Sequence, residues 1–392
     1  YIMTEQRLFD YDYELLRSFR EEVKRYWLPI HKYLNEKLQK ELEEAKLPFR
    51  KEQLQGRIAD GAEGGIRGDR AAADPKEYYA RYRGDSDWEL RYFKTYMPEL
   101  ARNEEQGPVY SPLYRLNEAP EFFFRDVAEI SDSLLPRTSR GFLQLLGAKG
   151  YVLMNFKEPA EPFSVQMFPD NACPLLSGTY KNNSRLLSDF LRLTGRAYAA
   201  VLTHESQEAL LPYSLIEEEL KDFYGLAFEL MALDDCDALF GKQRPGYAKQ
   251  RLLILLRDFL KACMIDEFED ALYTQEELSM SDRLDLWQHL RENYGMKFYT
   301  RDIFWADDDL QEALFVQPYT ALIRQLPAAA ALSLWDIKRS NKNRARGIYE
   351  RICRAGGADT FIETMKVILR PDLFSKDHVK RLAFQLAAFL EQ

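Results

Sequence analysis

A mainly α-helical fold with one small β-sheet is what this sequence predicts, on three observations. Apolar residues recur at helical spacing through most of the chain. The period turns strand-like in one place, between Gly150 and Phe168. The 46% apolar residues over 392 positions are enough to fill a sizeable core.

The first helical pattern, Asp10 to Lys46, is interrupted by Pro29, which predicts a pair of helices. Gln55 to Asp74 (55–74) is rich in Gly, Arg and Asp without apolar periodicity and reads as a mobile surface loop. Helical patterns resume through Pro75 to Leu100 and Pro120 to Leu146. The runs GYVLMNF and PFSVQMF, joined by KEPAE, then predict a two-stranded ribbon or part of a small sheet. From Ser184 onward nearly everything is helical, punctuated at Pro212, Gly241, Pro245, Gly295, Pro318, Gly356, Gly357 and Pro371.

Charge and composition remove several function classes. A formal net charge of −9, from 54 Lys+Arg against 63 Asp+Glu, gives no overall attraction to phosphate backbones or anionic lipid. Neither nucleic acid nor a membrane is an expected partner. The most apolar run, Leu326 to Trp335, is interrupted by Pro327 and is too short to span a bilayer. The opening residues lack the charged, apolar, then small-residue order of a secretory signal, and Met3 in third place fits either a chain that starts inside a longer protein or one that carries added leading residues. Cys173, Cys236, Cys263 and Cys353 are too far apart for a Cys-x-x-Cys pair, which points to a reducing, cytoplasmic setting. His31, His204, His289 and His378 are isolated from one another, so no two can sit one turn apart as a helical H-E-x-x-H zinc site requires.

Several local patterns have plain readings. His204-Glu205 at a helix end reads as surface. Asp234, Asp235 and Asp237, and likewise Asp307 to Asp309, read as solvated helix caps, because neither has EF-hand spacing. Asp266, Glu267, Glu269 and Asp270 form a carboxylate-rich helix face without the Glu-x-x-His pairs of a di-metal bundle. Arg67-Gly68-Asp69 falls in the expected loop.

Five segments follow one another in order: DYDYELLRSFREEVKRYWLPIHKYLNEKLQ, GYVLMNFKEPAEPFSVQMF, LLSDFLRLTGRAYAAVL, LLRDFLKACMIDEFEDALY and ARGIYERICRAGGADTFIETMK. Together they resemble the catalytic domain of the thimet oligopeptidase and oligoendopeptidase F family of zinc metallopeptidases. The resemblance implies a single catalytic-type domain over 1–392, a helical clamshell of two lobes about a cleft, with one small antiparallel sheet. It also implies a zinc helix at LLSDFLRLTGRAYAAVL, in which two histidines at i and i+4 bind the metal and a Glu after the first serves as base. Matched through Gly195, those positions read Arg192, Leu193, Thr194, Gly195 and Arg196. Arginine stays protonated and has no lone pair to give a metal, so zinc is expected to be absent and no other cofactor is implied.

The family's third ligand and a later Glu fall on Asp222 and Glu229. Asp222 is expected to meet Arg192 or Arg196 in a buried ion pair. The His and Tyr donors that would stabilise the tetrahedral intermediate fall on Ala313, Thr320, Ala321 and Arg324, while Tyr319 takes an aromatic packing position. The resulting expectation is an inactive pseudopeptidase that keeps a cleft for short peptides, lined by Ser164, Gln166, Phe168 and Tyr319. Arg192, Arg196 and Arg324 would favour an acidic or C-terminal carboxylate there. The alternatives are a metal-free hydrolase reusing Asp222 and Glu229, and a scaffold or regulatory partner of an active relative.

Overall fold

The computed structural model describes residues 13–44, 120–155, 163–168, 173–179, 184–206, 213–241, 244–275, 278–296, 304, 307–316, 318–369 and 372–391. The loop expected over 55–74, the helix expected over 75–100, the KEPAE turn and the Arg-Gly-Asp sequence lie outside the described residues. In chain order the main elements are α1 (Tyr13–Glu44), α2 (Pro120–Leu134), α3 (Phe142–Ala148), β1 (Val152–Asn155), β2 (Ser164–Phe168), β3 (Cys173–Thr179), α4 (Ser184–Glu205) and α5 (Glu218–Ala232). They continue with α6 (Asp237–Phe240), α7 (Arg244–Thr274), α8 (Met280–Asn293), α9 (Asp308–Gln311), α10 (Leu326–Ser340), α11 (Lys342–Ala355), α12 (Phe361–Thr364) and α13 (Lys376–Glu391). The mainly helical class with one small sheet is therefore observed. Among the described residues, no helix is long and apolar enough to cross a membrane.

Two compact units divide the chain. One comprises Tyr1–Val23, Tyr110–Leu252 and Leu322–Gln392, the other Lys24–Val109 and Leu253–Ala321.

In the first unit α4 packs on α5, α5 on α10, α10 on α11, and α11 returns to α4. Helix α10 is buried on all sides from Leu326 to Trp335, the signature of a central core helix. The crossing of α4 and α5 is unusually close. A Cβ on Gly195 would lie 2.5 Å from Phe228 Cβ and 2.6 Å from the Tyr224 carbonyl, and one on Gly225 would lie 3.1 Å from Arg192 Cβ. No other residue fits at Gly195. Tyr349 of α11 ties the crossing together: its buried hydroxyl lies 2.9 Å from the Tyr224 carbonyl and 3.2 Å from the Gly195 carbonyl.

The sheet has the order β1-β3-β2, and it packs on α4. Strands β2 and β3 run antiparallel with Ser164 opposite Ser177, whereas β1 and β3 run parallel with Val152 opposite Leu176, so the sheet is mixed and not the antiparallel one expected. The two runs are therefore parts of one small sheet, one of the two expected readings, and do not pair with each other as a ribbon. Strand β3 separates them, and its sequence CPLLSGT hides it, because Pro and Gly are both disfavoured in strands. Gly178 has a packing reason. A Cβ there would fall 2.4 Å from the Phe163 ring, which lies across the strand and reaches Phe190 of α4 at 6.2 Å.

Helix α1, whose residues from Lys24 onward belong to the second unit, runs unbroken through Pro29, against the expected pair of helices. Interior proline costs about 3 kcal/mol, but Trp27, Leu28 and His31 on either side of it are buried. Trp27 packs on Phe259 at 4.8 Å, so burial across the proline outweighs its penalty. Lys24 pairs with Glu267 at 2.7 Å, and the same carboxylate accepts from the Tyr294 hydroxyl at 2.6 Å. Phe268 packs on both Trp287 and Phe304.

Burial holds two histidines neutral. His31 lies against the Gly295 carbonyl and His378 against Ser333 Oγ, and desolvation lowers both to about 4. The unfolded chain titrates them near 6.5, so their contribution is complete above that pH. It is lost as pH falls from 6.5 toward 4, at up to about 1.4 kcal/mol per pH unit for each. Urea unfolding measured across that window should show His378→Gln losing stability less steeply than the parent chain. Separately, Gly195→Ala should cost about 1–3 kcal/mol or more by overpacking the α4–α5 crossing, read from the same unfolding curves at neutral pH.

Candidate functional site

Helix α4 buries Phe190, Leu191, Leu193, Thr194, Ala197 and Tyr198. Arg192 and Arg196, four residues apart, share the remaining face one turn from each other. On α5, Asp222 and Glu229 flank Gly225 by one turn each, and the Gly195/Gly225 contact brings the two faces together. Arg192 Nε donates to Glu229 Oε2 at 2.5 Å, and Arg196 Nη2 donates to Asp222 Oδ1. The helices thus exchange two ion pairs on either side of their closest point.

The two pairs are physically different. Glu229 is fully buried, and its other oxygen accepts from Arg251 at 2.8–2.9 Å. Burial pushes the Glu229 carboxyl up, but Arg192, Arg251 and a hydrogen bond from Ser188 outweigh it and hold the group at about 2. Ser188 in turn lies 3.1 Å from the buried Tyr247 hydroxyl. The Arg196–Asp222 pair is more open, with side chains 32% and 40% exposed, so the ion pair expected at Asp222 forms with Arg196 but is not buried. The buried anchor is Glu229.

The sequence matches no protein-family model and no curated protein. Solved structures do match. The chain superposes on a structure assigned to oligoendopeptidase F from Bacillus anthracis str. Ames with a TM-score of 0.65 at 16% identity, over 98% of this chain and 57% of that one. It superposes on PZ peptidase A bound to an inhibitor with a TM-score of 0.66 at 15% identity, over 98% and 59%. A further structure assigned to oligoendopeptidase F gives 0.67 at 14% identity, over 97% and 59%.

The chain has the oligoendopeptidase F fold. It spans between 57% and 59% of the length of these three structures.

The positions matched to the zinc motif do not fit a metal. Arg192 and Arg196 are cations without a donor lone pair, Leu193 is buried and has no ligating atom, and the carboxylates of Asp222 and Glu229 are engaged by guanidiniums. Among the described residues, no group of three or more His, Cys, Asp or Glu is arranged to hold a metal ion. His204 is exposed at the end of α4.

The remaining candidates are distributed over the oligoendopeptidase F fold. Ser164 faces Ser177 across β2 and β3 at 3.0 Å, Gln166 is exposed on the outer strand β2, and Phe168 ends that strand. Ala313 is buried in the π-helical turn Glu312–Val316 and Tyr319 follows it, both in the second unit. Arg324 is exposed on the turn Ile323–Gln325 of the first unit. Tyr319 has φ +61°, rare outside glycine, and its backbone N–H donates to the buried Glu269 at 2.7 Å. Its ring packs on Tyr273 at 5.2 Å. Burial and then the nearby carboxylate of Glu269 push its phenol up to about 12, so it stays a neutral hydrogen-bond donor.

Two acidic clusters differ from their expected reading. Asp234 and Asp235 are part-buried and ion-paired, with Asp235 meeting Lys338 and Lys342 at 2.8 and 2.9 Å, whereas Asp237 in the first turn of α6 pairs with Arg244 at 2.9 Å and stays exposed as expected. At Asp235, burial raises the carboxyl but the two lysines outweigh it. Asp307 does cap a helix, accepting from the Leu310 N–H, and also pairs with Lys261. Glu229 as a buried anchor, Arg251 and Ser188 were not legible as a unit in the sequence. The one signal for Arg251 is a charge set directly before the apolar run LLILL.

Removing one partner from the buried cluster should matter far more than removing one from the open pair. Glu229→Gln leaves two guanidiniums against a neutral group and should cost about 3–5 kcal/mol. Arg196→Ala should cost about 1 kcal/mol or less. Urea unfolding at neutral pH of both variants checks the contrast.

Proposed function

We propose that this chain is an oligoendopeptidase-like pseudopeptidase, in which ion pairs between α4 and α5 have replaced zinc chemistry and a peptide-binding surface is kept. The single observation that carries the reading is the exchange of Arg192–Glu229 and Arg196–Asp222 between the two helices. A guanidinium takes the place of each imidazole, and each matched carboxylate is engaged by one of them.

Peptide binding does not depend on the metal. Strand β2 is at the outside of the sheet order and exposes Gln166. Its backbone is suited to receive an extended peptide through main-chain hydrogen bonds. Short peptides are accordingly the proposed partners, and no cofactor is assigned. The cysteines are free thiols, with Cys173 part-exposed and Cys236, Cys263 and Cys353 buried, which supports a reducing, cytoplasmic setting. A metal-free hydrolase is the weaker reading. It needs a base that titrates near neutral pH, and Glu229 is held at about 2.

Incubating the purified chain with a pool of short peptides, with and without added Zn²⁺, tests the reading by mass spectrometry of new termini. No cleavage and no stoichiometric zinc are expected. Cleavage that disappears in Asp222→Asn or Glu229→Gln would overturn the proposal.

A further inference from the structure

Arg192 and Arg196 are held, yet only partly used. A guanidinium carries five N–H donors. Arg192 gives its Nε to Glu229, and Arg196 gives its Nη2 to Asp222. Both Nη groups of Arg192, and Nε and Nη1 of Arg196, make no hydrogen bond within the described residues. The two side chains are 37% and 32% exposed, so these donors are open to a ligand.

Their anchoring matters as much as their exposure. Ordering a free arginine side chain is entropically costly, but Arg192 is fixed by the fully buried Glu229, whereas the more open Asp222 competes with a ligand for Arg196. With Nε turned to Glu229, the end-on edge of Arg192 formed by its two Nη groups is what remains for binding. That edge is a planar fork matched to the two oxygens of a carboxylate. Arg196 stands one helical turn away on the same face, close enough to add a further donor. Arg192 shares Glu229 with Arg251, so the carboxylate's charge is not spent on Arg192 alone. Asp222 and Glu229 beside the forks also disfavour a phosphate-like dianion and leave a monoanion as the fitting charge.

We infer that Arg192 and Arg196 form a binding site for a single carboxylate, supplied by the C-terminus or an acidic side chain of a short peptide. The peptide part of this inference rests on the reading proposed above, and the carboxylate part rests on the two forks themselves.

Calorimetric titration of the full chain with three N-acetylated hexapeptides of Ala, Gly and Phe tests it. One carries a free C-terminal carboxylate, one is the C-terminal amide, and one is the amide with a single internal Glu. A carboxylate-bearing peptide should bind at least about tenfold tighter than the neutral amide, and whichever of the two carboxylate forms binds better identifies the source. Arg192→Gln and Arg196→Gln should each abolish most of that preference. Asp222→Asn, which releases Arg196 from its partner, should strengthen carboxylate binding several-fold, a gain that misfolding cannot produce. Equal binding of the acid and amide forms would overturn the carboxylate site while leaving peptide binding in place. Binding of none of the three would overturn both. A preference unchanged in the arginine variants, or Asp222→Asn with no gain, would overturn the assignment to these residues.

Discussion

Everything at the candidate site depends on how closely α4 and α5 approach at Gly195 and Gly225. With no side chain at either position, the backbones come near enough for Arg192 and Arg196 to span directly to Glu229 and Asp222. A bulkier residue at the crossing would separate the helices by a side-chain thickness and pull the charges out of register. The Tyr349 hydroxyl lies between a carbonyl from each helix, so the same closeness is secured from the α11 side. Helix spacing, rather than the charges, is what defines the geometry here.

That geometry in turn makes Glu229 tolerable. An isolated buried carboxylate would lose its charge or unfold the helix around it. Here its two oxygens meet guanidiniums from different elements, Arg192 on α4 and Arg251 on α7, with Ser188 behind them. The cluster is a pin between three helices more than a source of net stability, because desolvation offsets much of the attraction in such pairs. Its chemical consequence is firmer. A carboxylate held this far below neutrality takes no proton from substrate or water near pH 7.

Much of this was legible from residue order, and the rest was hidden for physical reasons. Arg192, Arg196, Asp222 and Glu229 could be named from the sequence because the family resemblance, matched through Gly195, places them at the positions of the zinc motif and its following carboxylates. Which arginine met which carboxylate, and which pair was buried, depended on the antiparallel crossing and on α7 arriving over Glu229. Neither leaves a local signal. Strand β3 was missed because Pro174 and Gly178 look like breakers, and only the Phe163 ring explains the glycine. Pro29 was read as a break because the burial that carries α1 through it comes from α7, far along the chain. The left-handed Tyr319 had no sequence signal at all, since its conformation answers to Glu269, fifty residues earlier.

The arrangement of the thiols gives the molecule a practical handle. Cys236, Cys263 and Cys353 are enclosed, and burial raises the first and last of these well above the range in which a thiolate forms at neutral pH. Cys173, at the start of β3, is the part-exposed one, and β3 is the strand to which both neighbours bond. An alkylating fluorophore applied to the folded chain would therefore favour one position, at the end of the central strand and opposite Phe168 of β2. The protein carries its own attachment point for a spectroscopic reporter on the sheet, without any cysteine having to be removed.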